Sequence, residues 1–312
     1  MKVNRDGCMN IKIGTRGSRL ALTQTNFVAD KIKKIMPEAN IEICIIKTSG
    51  DIMEDISLLK MGGKGVFVKE IEDALLSGAI DLAVHSMKDV PTEVPAGLEF
   101  VAILQREDVR DILASKDNRK IEQMPRGARI GTGSLRRASQ LLAVLPDVVI
   151  IPLRGNLDTR LKKIETEKLA GVIVAAAGMK RMGLADRITQ FLPVEMMLPA
   201  VGQGALGLEV RANDEELKKI LAKINHAPTY TEVTAERSFL RHLGGGCRLP
   251  IAALGKLEGD KLSLEGLVAD PQGSSIIRDK VQGSVFEAEE LGNRLADIIL
   301  EKGGKKLLDL MC

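Results

Sequence analysis

The sequence predicts an α/β protein made of two successive domains with largely parallel sheets, followed by a smaller α+β region. Three observations predict it. Short β-branched runs alternate with amphipathic helical stretches. That rhythm restarts near residue 128 with an echo of its own opening, and from about residue 223 the pattern changes character. At 312 residues the chain is also longer than one hydrophobic core comfortably organises.

In order, IKIG (11–14) reads as a strand, LALTQTNFVADKIKKI as a helix and IEICIIKT (41–48) as a strand. VFVKEIEDALLSG then reads as a helix and DLAVHS (81–86) as a strand. The pattern resumes with ARIG (128–131), a helix from about Ser134, DVVIIPLRG (147–155), a charged helix and GVIVAAAG (171–178). Ile13-Gly14-Thr15-Arg16-Gly17-Ser18-Arg19-Leu20-Ala21 echoes Ile130-Gly131-Thr132-Gly133-Ser134-Leu135-Arg136-Arg137-Ala138. The echo predicts a shared architecture, although any strand-to-helix turn favours Gly, Ser and Thr. LPAVGQGALGLEVR (198–211) is too apolar for a solvent linker and is expected to thread back between the domains. The last region reads as helix TEVTAERSFLRHL, a GGGC turn, strands IAALGKL and KLSLEGLVAD about a Glu-Gly-Asp turn, and a C-terminal helix.

Composition excludes several function classes. The N-terminal MKVNRDGCMN lacks the apolar core of a signal peptide, and no run approaches the roughly 18 apolar residues of a membrane span, so a cytoplasmic protein without membrane association is expected. Cys8, Cys44, Cys247 and Cys312 are scattered without CxxC spacing, which argues against a disulfide framework or a zinc site. Cys44, inside IEICII, reads as a core residue. With only His85, His226 and His242 available, a His-rich metal centre is nearly excluded and no metal is expected. Lys and Arg number 45 against 42 Asp and Glu, so a basic site must be a local concentration rather than a global bias. Aromatic residues at 2% leave little to stack on bases, and nucleic acid is not an expected partner.

In open α/β sheets the functional crevice lies beyond the carboxyl ends of the strands. Those positions carry Thr15-Arg16-Gly17-Ser18, Ser86-Met87-Lys88-Asp89, Thr132-Gly133-Ser134-Leu135-Arg136-Arg137, Arg154-Gly155-Asn156 with Arg160 beyond, and Gly178-Met179-Lys180-Arg181. Every one of these strand ends delivers a cation. Several also place Ser, Thr or Gly at a helix N-terminus, where free N–H groups and the helix dipole favour an anion. Repeated Arg points to oxyanion recognition by its planar fork, and the implied ligand is a polyanion. Taken singly, each Arg is equally compatible with solvating a loop or pairing with a nearby acid. Phosphate is disfavoured, since neither GxxxxGK[ST] nor GxGxxG occurs in a strand-loop-helix context.

Asp89 is the one acid among these cations. It either caps a turn or stays ionised to stabilise a developing positive charge or relay a proton. His85 reads as a half-buried strand end rather than a base. Cys247 follows three glycines and has Arg241 and Arg248 nearby, a setting that suits an accessible thiolate and equally a structural cysteine in a glycine loop.

These segments together resemble the hydroxymethylbilane synthase (porphobilinogen deaminase) family from about Ile11 to the final helix. The most specific stretch is Glu236-Arg237-Ser238-Phe239-Leu240 through Leu243-Gly244-Gly245-Gly246-Cys247-Arg248-Leu249-Pro250, similar to the family's cofactor-attachment signature. TRGSRLAL, KGVFVKE, AVHSMKDVPT, GTGSLRRASQL, LRGNLDTRL and VGQGALGLE match in the expected order. Leu249, where Ile, Val or Thr is usual, and Val109, where proline is common, depart from the pattern without removing a chemical group.

The resemblance implies two domains similar to type II periplasmic binding proteins plus a small C-terminal α+β domain, with boundaries 10–104 with 203–222, 105–202 and 223–312. It implies a dipyrromethane primer held on Cys247 through a thioether, no metal, and porphobilinogen as the small-molecule substrate of a monomeric enzyme. Asp89 matches the catalytic aspartate. Arg16, Ser18, Ser86, Lys88, Thr132, Ser134, Arg136, Arg137, Arg154, Gly155, Arg160 and Arg181 match positions that bind cofactor and substrate carboxylates. Lys60, Lys64 and Phe67 match a mobile active-site loop. The implied reaction joins four porphobilinogen molecules with loss of ammonia and releases a linear tetrapyrrole by hydrolysis. The rival from another class is a non-catalytic solute-binding module for a polycarboxylate, which the Arg-rich turns alone would satisfy and which Cys247 and Asp89 argue against.

Overall fold

Of the 312 residues, the computed structural model describes 2–3, 9–49, 68–245 and 249–309. The chain divides into one unit of Met1–Arg106 with Ala205–Tyr230 and another of Glu107–Gly204 with Thr231–Cys312. In the first unit, β1 (Lys2–Val3), β2 (Met9–Thr15), β3 (Asn40–Ile45), β4 (Leu82–Ser86) and β5 (Leu98–Ile103) share a sheet with β11 (Leu206–Arg211). β2 runs parallel to β3 and to β4. β11 pairs antiparallel with both β4 and β5.

The second unit holds a sheet of β6 (Asp111–Ser115), β7 (Arg129–Gly131), β8 (Val149–Ile151), β9 (Gly171–Ala175) and β10 (Gln190–Phe191), in the order β10-β6-β9-β7-β8. β7 is parallel to β8 and β9, and β6 is antiparallel to β9 and β10. Both sheets therefore run second strand, first strand, third strand, an antiparallel strand, fourth strand. The two halves of the sequence echo, Ile13 to Ala21 and Ile130 to Ala138, sit on the topologically equivalent strand-to-helix turns after β2 and β7. Shared architecture is thus a finding about the fold.

Burial follows position in the sheet. All five residues of β9 are buried, as a central strand covered on both faces requires. β3 is an edge strand with alternating exposure, so Cys44 is half-buried rather than a core residue. Its thiol is pushed up by burial and by the neighbouring Glu42 carboxylate. Helix α1 (Arg19–Ile35) starts where the Ser18 hydroxyl accepts from the Ala21 N–H at 3.3 Å, and it buries Gln24, Val28 and Ile32 at four-residue spacing. Lys33 and Lys34 occupy its last turn, where cations oppose the carboxyl end of the dipole. Among the described residues, no helix is long and apolar enough to cross a membrane.

The C-terminal part of the second unit is a meander of β12 (Ile251–Glu258), β13 (Lys261–Ala269) and β14 (Ile276–Ser284). The expected Glu-Gly-Asp turn closes its first hairpin, with Gly259 at φ 59°. Two helices cover this sheet: α7 (Ala227–His242) and α8 (Ala288–Ile299). Phe239 of α7 is fully buried among Leu262, Leu264, Leu291 and Leu295. The helices cross closely at Gly292, where an added Cβ would lie 2.6 Å from the Ala235 carbonyl oxygen and 2.6 Å from the Ser238 Cβ. Strands β1, β5, β6, β10, β11 and β14 were not among the sequence expectations. β14 carries Arg278, Asp279 and Lys280 mid-strand, and its polar edge position hides its strand character.

Replacing Gly292 by Ala should therefore cost about 1–3 kcal/mol by overpacking a contact made to backbone. A chemical-denaturation midpoint against the parent protein measures it.

Candidate active site

Because β7, β8 and β9 are parallel, their carboxyl ends lie on one edge of the second sheet. That edge presents Thr132-Gly133-Ser134, then Arg154-Gly155-Asn156, then helix α5 (Ala176–Arg181). The first two turns pack tightly. A Cβ on Gly133 would overlap the Leu153 carbonyl oxygen, and Gly155 adopts φ 93°, a conformation that only glycine takes without strain. Buried Thr132 accepts from the Ser134 N–H at 3.2 Å through its side-chain oxygen. Ser134 precedes α3 (Leu135–Val144), but its hydroxyl makes no cap bond, in contrast to Asn156, which caps α4 (Leu157–Thr166) by accepting from Thr159 N–H at 3.0 Å.

The cations of this edge divide into two groups. Arg136 and Arg137 are buried and committed to Asp111, which is fully buried. Arg136 Nη2 donates to Asp111 Oδ2 at 2.8 Å and its Nη1 to the Leu198 carbonyl at 2.6 Å. Arg137 donates to Asp111 Oδ1 from Nε at 3.0 Å and from Nη2 at 2.8 Å, and its Nη1 reaches the Ile173 carbonyl at 3.3 Å. Gln203 Nε2 adds a fourth bond to the Asp111 carboxylate, to Oδ1 at 3.0 Å. Burial alone would push the Asp111 carboxyl up, but the two guanidiniums outweigh it and hold it at about 2. Sequence reasoning missed Asp111, although an acid heading the apolar run DILAS was its available signal.

The second group, Arg154, Arg160 and Arg181, is half-buried and not bound to Asp111. Arg154 is half-buried and makes no hydrogen bond or ion pair with any described residue. Arg160 Nε donates to the Gly155 carbonyl at 2.9 Å. Arg181 Nη2 donates to the Gly204 carbonyl at 2.7 Å, and burial lowers its guanidinium to about 10 against the opposing charge of Glu107. Lys180, by contrast, pairs with Asp108 at 2.9 Å and Glu107 at 3.3 Å.

In the first unit, the carboxyl ends of β2 and β4 share an edge for the same reason. Ser18 caps α1, half-buried Arg16 lies in the same turn, and the Ser86 hydroxyl meets the side-chain amide of Gln24 at 3.1 Å. Met87, Lys88 and Asp89 form a single 3₁₀ turn directly after β4. Met87 is the buried foot of that turn, filling the space that a side chain at Gly207 of β11 would occupy. Asp89 is exposed and makes no hydrogen bond or ion pair with any described residue. His85 is buried rather than half-buried, its Nε2 2.8 Å from Oε2 of fully buried Glu209. Glu72, on helix α2 (Lys69–Leu76), is pushed up to about 7 by burial and by the charge of Glu209.

The signature segment ends α7. Fully buried Glu236 accepts from Gly202 N–H at 2.6 Å and Gly255 N–H at 2.8 Å, tying the VGQG segment to the small sheet. The helix stops in a Schellman turn: Gly244, at φ 64°, donates to the Arg241 carbonyl at 2.9 Å, and Gly245 to the Leu240 carbonyl at 3.1 Å. Cys247, and likewise Lys60, Lys64 and Phe67, lie outside the described residues.

Residues 11–219 match the family profile described as porphobilinogen deaminase, dipyromethane cofactor binding domain, and residues 230–301 match porphobilinogen deaminase, C-terminal domain. A porphobilinogen deaminase of Syntrophus aciditrophicus is 55% identical over 96% of this chain and 98% of its own. One of Geobacter metallireducens is 49% identical over 96% and 93%. Among solved structures, the methionine-binding protein MetQ aligns with 73% of this chain and 93% of its own at 13% identity and TM-score 0.44, a likeness that identifies neither ligand nor activity.

Asp111→Asn should strand two buried guanidiniums and destabilise the protein by about 3–5 kcal/mol, measured by denaturant unfolding. Glu72 has a folded-state value above its unfolded 4.5, so the native state binds the extra proton and stability falls as pH rises from about 4.5 to about 7. Glu72→Gln should remove that loss and stabilise the protein by roughly 2 kcal/mol above pH 7, with little effect below pH 4.5, read from melting temperature against pH.

Proposed function

The chain belongs to the porphobilinogen deaminase family, and from that premise we propose how its own residues carry the reaction. That reaction joins four porphobilinogen molecules head to tail with loss of ammonia on a covalently bound dipyrromethane, and hydrolysis then releases the linear tetrapyrrole. Membership disposes of the non-catalytic solute-binding alternative.

Substrate and cofactor both carry acetate and propionate groups, so a protein that holds them needs cations with donors to spare. The second-unit edge fits: Arg154 is unpaired among the described residues, Ser134 keeps its hydroxyl out of the helix cap, and Arg181 is partly desolvated, which strengthens its attraction for a carboxylate. We assign carboxylate binding on this edge to Thr132, Ser134, Arg154, Gly155, Arg160 and Arg181. Arg136 and Arg137 stand behind them as charged supports. On the other edge Arg16, Ser18, Ser86 and Lys88 take the same role. When bound to Cys247, dipyrromethane supplies the nucleophilic pyrrole carbon from which the chain grows.

Asp89 is the catalytic residue of this reading, and its exposed carboxylate beside Lys88 is the observation that carries it. An ionised carboxylate there stabilises positive charge on the pyrrole as ammonia leaves and accepts its N–H. A cytoplasmic, monomeric enzyme that needs no metal is the family expectation carried over to this chain.

Intact-protein mass spectrometry should show an adduct of dipyrromethane size that maps to Cys247 and is missing from Cys247→Ser; an unmodified, fully active protein would overturn the assignment. Asp89→Ala should keep its fold by circular dichroism and lose turnover, and a near-normal rate would remove Asp89 from the mechanism.

A further inference from the structure

The reaction as read above uses the outer face of the Ser86–Asp89 turn and leaves unexplained the titratable cluster that underlies it. His85 ends β4 one residue before Ser86, and its imidazole is buried. Its Nε2 lies 2.8 Å from Glu209 Oε2, at hydrogen-bond distance. The second Glu209 oxygen, Oε1, is buried without a hydrogen-bond partner among the described residues, although Glu209 itself is wholly inside the unit. The edge of the imidazole meets the Phe100 ring of β5, with centroids 5.8 Å apart. Glu72 approaches from α2 and is buried as well.

A polar group placed so deep costs stability unless something is gained, and this cluster leaves an acceptor unpaired. An apolar pair on β4 and β11 would hold the strands as well. What the cluster supplies instead is a rigid, charge-dependent tie between β11 and the last residues of β4. The turn has two buried anchors: Met87 seated over Gly207, and His85 held by Glu209. Both reach the same strand, β11, and Asp89 stands two residues beyond Met87.

We propose that Glu209, acting through His85, is a positioning residue for the reaction, fixing the end of β4 so that Lys88 and Asp89 are presented in one geometry, and that Glu72 modulates this hold through its proton. The inference rests on Asp89 being catalytic. The charged and titratable groups that act on Glu72 are Glu209 from β11, His85 from β4 and Asp73 of its own helix. As Glu72 loses its proton, a second buried negative charge beside Glu209 competes for His85 and loosens the tie. Ionisation of Glu72 near pH 7 then gives the turnover rate an alkaline limb that belongs to positioning rather than to the reacting groups.

The test uses full-length holoenzyme with dipyrromethane attachment confirmed by mass. Glu209→Gln, which keeps the shape and removes the charge, should lower kcat by about tenfold or more while KM stays within about twofold, and Glu209→Asp should restore part of the loss. Glu72→Gln, a milder change, should leave kcat below pH 6 as in the parent and flatten its decline through pH 7. Because the chain has only three histidines, the His85 imidazole can be followed by NMR, and its ring resonances should move in Glu209→Gln. Parental kcat in Glu209→Gln, or an unaltered pH profile in Glu72→Gln, overturns the inference. Asp89→Asn separates the two readings: lost turnover there with normal Glu209→Gln defeats the inference alone, whereas normal turnover in Asp89→Asn defeats the assignment beneath it.

Discussion

One buried carboxylate organises the second unit. Asp111 opens β6 and receives donors from Arg136 and Arg137 on α3 and from Gln203 of the VGQG segment. Further donors of those arginines reach the carbonyls of Leu198 and of Ile173, a residue of β9. A buried ion pair of this kind stabilises only when its hydrogen bonds are nearly complete. Here they are, and the helix that follows the Ser134 turn is locked to the antiparallel strand and to the segment leading out of the unit. Two arginines against one aspartate leave a net positive charge inside, which raises the potential of the edge above it without presenting those side chains to solvent.

The repeated topology makes such an edge possible twice. Parallel strands bring successive turns to one side, so residues far apart in sequence, such as Ser134 and Arg154, or Ser18 and Ser86, become neighbours on an edge without any long-range instruction beyond strand order. The antiparallel strand, β11 in one sheet and β6 in the other, is the element that breaks the simple alternation. In the first sheet it also carries Gly207 and Glu209, the residues that fix Met87 and His85.

Legibility from sequence follows the same division. The strands β2, β3, β4, β7, β8 and β9 and their turns were readable because β-branched runs ending in Gly, Ser, Thr and Arg mark them, and the echo of Ile13–Ala21 at Ile130–Ala138 fell on equivalent turns. β6 and β5 were not, because DILAS and LEFVAI lack helices on both sides and carry no alternation beyond a few residues. Strand-end arginines were legible as cations, but not the split between the buried pair held by Asp111 and the half-buried rest, which depends on a single aspartate 25 residues before Arg136. The His85–Glu209 contact spans 124 positions and no local pattern encodes it. Cys44 misled for a related reason: an apolar run does not reveal which strand is the sheet edge.

The helix that leads toward Cys247 is anchored by buried contacts. Glu236 pins α7 to Gly202 and Gly255 through two buried N–H donors, and Phe239 and Gly292 set the helix against its neighbours. The Schellman turn at Gly244 then ends the helix abruptly, and a Cβ on Gly245 would overlap Ile251. Two of the three glycines before Cys247 are thus explained by terminating and packing α7. The consecutive glycines that first suggested an accessible thiol are therefore in large part a structural stop. The helix itself ends at His242, so the proposal that Cys247 is the attachment point rests on the signature around it and on the family's dipyrromethane cofactor rather than on the glycines.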